Sequence, residues 1–117
     1  MNNISPQLQN QIAQFQQVQQ QLQAVSTQKM QMSASRKEME RTIAELDKAT
    51  GDVYKNVGSL LIKVDDKAAV KSEIEESMET VDIRIKAVER QEKALREKFD
   101  SLQQTINKAM GQQQQQA

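Results

Sequence analysis

Carboxylates and cations are the residues of this chain that could do chemistry. Glu73, Glu75, Glu76, Glu79 and Asp82 are followed by Glu89, Glu92 and Glu97. A close carboxylate pair can run general acid–base catalysis where a pocket shifts one of the two pKa values. These acids alternate with Arg84, Lys86, Arg90, Lys93, Arg96 and Lys98, so they read as a solvated charged face. The basic cluster is also the place to look for nucleic-acid binding, but Glu89, Glu92 and Glu97 interrupt it. Base-stacking platforms are missing too, since the aromatic residues are only Phe15, Tyr54 and Phe99. Sixteen basic and sixteen acidic residues cancel, leaving no net field to recruit nucleic acid or an anionic membrane. His and Cys are absent, which excludes disulfides, thiol chemistry, Cys/His metal sites and Ser-His-Asp or Cys-His catalysis. Phosphate-binding glycine motifs are absent as well. No catalytic residue, metal or cofactor is expected.

A third chemistry is the binding of apolar surface. Ile4, Leu8, Ile12 and Phe15 near one terminus, with Leu102, Ile106 and Met110 near the other, are the candidate residues. The first four have uncharged surroundings: within residues 1–35 only Lys29 carries charge, and the other 31 charges lie in residues 36–108. Twelve of the first 31 residues are Gln, a neutral, flexible neighbour that repels no client charge. Six Met residues add deformable surface, although Met32, Met39 and Met78 read as core.

Heptads position these residues. Counted from Leu8, positions a are Leu8, Phe15, Leu22, Lys29, Arg36 and Ile43, and positions d are Gln11, Val18, Val25, Met32, Met39 and Leu46. A second register has Lys71, Met78, Ile85, Glu92, Phe99 and Ile106 at a, and Ile74, Val81, Val88, Leu95, Leu102 and Ala109 at d. Nine and ten of the twelve positions are apolar, which predicts two long coiled-coil helices. Ser5-Pro6 reads as an N-cap followed by proline at the first helical position. Gly51 suggests a left-handed stop for the first helix, and Asp65 or Asp66 can cap the second. Between them the period changes to alternation, and Gly58-Ser59 sits between two β-branched runs as a hairpin turn. One strand face would carry Val53, Val57, Leu60, Ile62 and Val64, the other Tyr54 and Leu61. A lone apolar hairpin is marginal in water, so these residues are expected to meet a partner.

Folding back about Gly58-Ser59 pairs residues whose numbers add to roughly 117. Phe15 then meets Leu102, Lys29 lies within a turn of Glu89 and Glu92, Arg36 lies near Asp82, and Lys71 lies near Asp47. The fold class is mainly α: a long antiparallel two-helix coiled coil joined by a single β-hairpin. One domain of residues 1–117 is expected, with helices at 5–50 and 66–110, the hairpin at 52–65 and a flexible Gln-rich tail at 111–117. Each helix would run about 60 Å, giving a thin rod with the hairpin at one end and both termini at the other. Such a rod offers no concave pocket. No stretch approaches 18 apolar residues and no signal peptide is evident, so a soluble, cytoplasmic protein is expected.

The run Asp52-Val53-Tyr54-Lys55-Asn56-Val57-Gly58-Ser59-Leu60-Leu61-Ile62, flanked by heptad helices, resembles the prefoldin beta-type subunit. So do Gln14-Phe15-Gln16-Gln17, Gln19-Gln20-Gln21-Leu22 and Glu89-Arg90-Gln91-Glu92. The insert holds one hairpin where alpha-type subunits carry two, and the simple form looks archaeal. The resemblance implies a hetero-hexamer of two alpha and four beta subunits whose hairpins assemble into an oligomeric β-barrel platform. It implies an ATP-independent holdase whose coiled-coil tips capture unfolded polypeptides and pass them to a group II chaperonin. Val53, Tyr54, Val57, Leu60, Leu61, Ile62 and Val64 would then serve oligomerisation, and the apolar residues near the termini would contact clients. The Gln run of residues 112–116 departs from the family's pattern. The alternative is a structural coiled-coil scaffold or tether with one fixed partner.

Overall fold

The computed structural model describes residues 4–116; residues 1–3 and 117 of the expected domain, the last belonging to the Gln-rich tail, lie outside it. The order of elements is α1 (Pro6–Lys48), β1 (Tyr54–Val57), β2 (Leu60–Lys63) and α2 (Lys67–Gln116). At the start of α1 the Leu8 amide donates to Ser5 Oγ at 3.1 Å, so Ser5 is the N-cap and Pro6 occupies the first turn, where no amide is needed. No Gly or Pro interrupts residues 7–48, which leaves nothing to break the helix. At the start of α2 the Ala69 amide donates to Asp66 Oδ1 at 3.2 Å. Of the two expected caps, Asp66 is the one used.

Gly51 behaves differently from expectation. It does not adopt a left-handed backbone; among the described residues only Gly58 has positive φ. The exit of α1 is held instead by the Lys67 ammonium, which donates to the Ala49 carbonyl at 2.7 Å, a cation where the helix leaves unpaired carbonyls. Nor does Gly111 end α2, whose helical backbone continues to Gln116. A glycine stops a helix only by turning left-handed, and Gly111 keeps helical geometry.

Every a and d position named above, in both helices, is buried or half-buried. The heptad registers are therefore the packing registers. The chain divides into two compact units, one of Met1–Lys29 with Ala87–Ala117 and one of Met30–Lys86. In the first, the terminal unit, Leu8, Val18, Val25 and Val88 are buried. Phe15 and Phe99 stack with centroids 4.6 Å apart and planes at 29°, a favoured offset arrangement. Phe15 thus stacks on Phe99, three residues from Leu102 along α2. Lys29 bonds Glu92 at 3.3 Å and pairs with Glu89 at 3.7 Å.

In the second, the hairpin unit, Leu46 is buried and the seam continues through Met39, Ile43, Met78 and Val81. Arg36 forks onto Asp82, through Nε to Oδ1 and through Nη2 to Oδ2 at 3.2 Å, and also reaches Glu40. Lys71 pairs with Asp47 at 3.0 Å. All three polar seam contacts fall where antiparallel pairing places them. β1 and β2 pair antiparallel, Tyr54 with Lys63 through Val57 with Leu60, so paired numbers add to 117 as expected. Gly58 has φ of +62°, and Ser59 stays at negative φ, the pattern of a type II′ turn with glycine at its first central position. Gly58→Ala should destabilise the chain by about 1–2 kcal/mol, because an L residue resists that backbone, although the added methyl meets no atom within 4 Å. Thermal unfolding of the variant checks this.

Candidate functional site

Two surfaces hold the residues singled out from the sequence. The first is the hairpin. Register puts Val53, Val57, Leu60, Ile62 and Val64 on one face with Lys55, and Tyr54 and Leu61 on the other with Asn56 and Lys63. All eight strand residues are exposed; Leu60 and Leu61 are 63% and 64% accessible, far more than a large aliphatic side chain in a finished core. Val53 and Val64, just outside the strands, are half-buried. The Val64 amide donates to the Val53 carbonyl at 2.8 Å, so Val53–Val64 is a hydrogen-bonded pair. Alternation along an antiparallel ladder then turns the backbone groups of Tyr54 and Asn56, and of Leu61 and Lys63, outward. Both edges are open for another strand. Lys63–Asp52 at 3.7 Å and Lys55–Glu73 at 3.6 Å are exposed pairs that contribute little.

A cleft of about 490 Å³ lies at the hairpin's base, with Leu46, Val53, Tyr54, Val64, Val70 and Ile74 in its lining. Charged residues, Glu45, Asp52, Lys55 and Glu73, share that lining. The expectation that a two-helix coil offers no concavity is thereby corrected: residues of the hairpin and of both helices line an open cleft.

The second surface is a groove of about 390 Å³ in the terminal unit, which corrects the same expectation again. It brings together Ile12, Phe15, Ile106 and Met110, four of the seven apolar candidates. Its remaining lining is Gln16, Gln19, Gln103 and Asn107, all amides and none charged. Met110 is 45% exposed, and Ile12, Phe15 and Ile106 are half-buried. Leu8 is apart from them, 2% accessible and sealed in the seam, beside a separate depression with Gln11, Thr105 and Lys108. Ile4 precedes the helix and is half-buried, as is the seam residue Leu102; neither lines the groove.

The fold and both surfaces can now be set beside known proteins. The family model described as Prefoldin subunit matches residues 9–113. The chain belongs to the prefoldin family. The prefoldin subunit beta of Methanospirillum hungatei JF-1 is 45% identical over 108 residues, 91% of this chain and 89% of that protein. The prefoldin subunit beta of Thermoplasma volcanium is 42% identical over 57 residues, and this match spans 49% of the chain and 46% of that relative's length. The crystal structure of the prefoldin beta subunit from Thermococcus strain KS-1 superposes with a TM-score of 0.83 at 38% identity, covering 93% of this chain and 96% of that one. The resemblance to the beta type read from the residues around Gly58 thus extends to sequence and fold over most of the chain. Prefoldins are a family of chaperone subunits. No helix among the described residues is long and apolar enough to cross a membrane.

Two exposed apolar residues of this prefoldin escaped the sequence reading. Met30 and Ile83, 69% and 68% accessible, are more exposed than any large apolar residue of the hairpin. They fall at outer heptad positions, where composition alone draws no attention to a single apolar side chain.

Among the polar contacts, the Arg36 hydrogen bond holds the Asp82 carboxyl below its ordinary value of 3.8. A folded-state pKa below the unfolded one stabilises at pH values above the unfolded pKa, and the gain is lost as pH falls through the folded pKa. Wild-type stability should therefore decline as pH drops below about 4. Asp82→Asn, less stable at neutral pH, should lose less over that interval in thermal unfolding between pH 6 and 2. Lys71 is raised by its bond to Asp47, so its contribution is lost in the opposite direction, at strongly alkaline pH.

Proposed function

We propose that the chain is a subunit of an ATP-independent holdase. Its hairpin joins it to an alpha-type subunit and to further copies of itself, two alpha with four beta, in a β-barrel platform. Its terminal unit captures unfolded polypeptide for delivery to a group II chaperonin in the cytoplasm. The observation that carries the reading is the groove of Ile12, Phe15, Ile106 and Met110, apolar within and uncharged at its rim. Exposed segments of non-native proteins are apolar and vary in charge, and a neutral rim accepts them without selecting a sign. The hairpin supports the assembly half of the reading, because five apolar residues share one strand face and both edges are open.

The decisive assay is light scattering of a denatured test protein diluted into nucleotide-free buffer, with this chain alone and with an alpha-type partner. Suppressed aggregation at near-stoichiometric hexamer is the expected result. A hexamer lacking residues 1–11 and 103–117 should still assemble and lose protection; retained protection would remove the terminal unit from the mechanism. A chain that assembles yet protects no unrelated client would be a scaffold.

A further inference from the structure

We propose that the amides lining the terminal groove read the backbone of an extended polypeptide, so that the site selects unpaired main chain as well as an apolar side chain; this rests on the reading that the terminal unit captures unfolded protein. Gln16 and Gln19 come from α1, and Gln103 and Asn107 from α2, so amides border the groove from both helices. Among the described residues, none of the four makes a hydrogen bond within the chain. An amide side chain presents two donors and an acceptor with two lone pairs, the complement of a peptide group. A charged rim would instead favour clients of opposite sign, as the lining of the hairpin cleft, with Glu45, Asp52, Lys55 and Glu73, is equipped to do.

The spacing of Gln103 and Asn107, four apart on α2, agrees with this occupant. Residues three and four apart on a helix are about 4.5 and 6 Å apart along its axis. Backbone groups on one side of an extended strand repeat every two residues, about 6.6 Å. A strand lying along the groove can therefore offer N–H and C=O groups to amides of both helices while one side chain meets the apolar lining of Phe15 and Ile106. A helical or folded segment has already paired those groups internally and has none to offer. The volume, about 390 Å³, is near the low end of ligand pockets, about 300–1,000 Å³, and suits a short piece of chain.

The test uses the full chain, assembled with its alpha-type partner, and a fluorescent, uncharged nine-residue peptide with Leu-Phe-Leu at its centre. A second peptide is N-methylated at the two leucines, which removes two donors and keeps the side chains. Anisotropy titration should show the parent binding at least fivefold tighter, the loss expected for two hydrogen bonds. In Gln16→Met/Gln103→Met, whose substitutions keep length and helix propensity, the ratio should fall toward one. Equal binding of both peptides to the wild type overturns the proposal, as does an undiminished ratio in the double variant, which would make the methyl effect the peptide's own. Ile106→Ser separates the two levels. If it leaves parent binding unchanged, the groove is not the capture site and the functional reading falls with the proposal; if it weakens binding while the methylation ratio is one, only the backbone readout falls.

Discussion

Ile62→Asp should yield a helical chain that no longer assembles. Ile62 shares its strand face with Val53, Val57, Leu60 and Val64, and the residue itself is exposed in the single chain. An isolated two-stranded sheet gains little from its own hydrogen bonds. The proposed platform would bury this face, at roughly 1.5–3 kcal/mol for each large aliphatic side chain. An aspartate there forfeits that gain and must also shed its hydration, which costs several kcal/mol more. The penalty recurs at every copy in the proposed platform, so the effect should be near all-or-none. Leu61→Asp provides the internal comparison: Leu61 lies on the opposite face, with Tyr54 as its one apolar companion in the strands, and the loss of assembly should be milder. Size-exclusion chromatography with light scattering reads the assembly, and circular dichroism confirms that the helices persist. An Ile62→Asp chain that assembles normally would exclude this face from the interface.

How far the residues alone led depends on which interactions are periodic. Heptad spacing exposed both helices, the whole seam and the polar contacts of Lys29, Arg36 and Lys71, because a two-helix coil repeats one packing rule along its length. The turn at Gly58 was equally legible, since a two-residue loop between β-branched runs has few solutions. Glycine by itself misled at Gly51. Whether it takes positive φ depends on competing contacts, and at the end of α1 the Lys67 ammonium reaches from 18 residues away to hold the carbonyl. The groove was half legible. Ile12 falls off the seam at position e, and Gln19, Gln103 and Met110 also occupy e positions when the registers are counted on. Only antiparallel alignment sets those two e rows side by side to form a concavity. The stacking of Phe15 on Phe99 likewise needs a register known to better than one turn.

The off-seam position of Ile12 and Met110 would make the proposed client capture separable from stability. Ile12→Ser/Met110→Ser removes two apolar walls of the groove while leaving every a and d residue in place. Protection of an aggregating client should fall severalfold, with the melting temperature changed little, because half-exposed positions forfeit little burial. Val18→Ala is the converse. Val18 is 2% accessible and lies in the same unit outside the groove, so losing two methyls should destabilise by about 2 kcal/mol. Its protection per folded subunit should match the wild type. Phe15→Ala should fail in both assays, since Phe15 stacks on Phe99 in the seam and also lines the groove. Aggregation suppression and thermal unfolding measured on the three variants make a two-axis comparison. If protection tracked melting temperature alone, even for Ile12→Ser/Met110→Ser, the groove would be a packing feature and capture would have to be sought elsewhere. If the axes separate as stated, binding rests on side chains the coiled coil does not need for its own folding, which leaves them free to vary with the clients they meet.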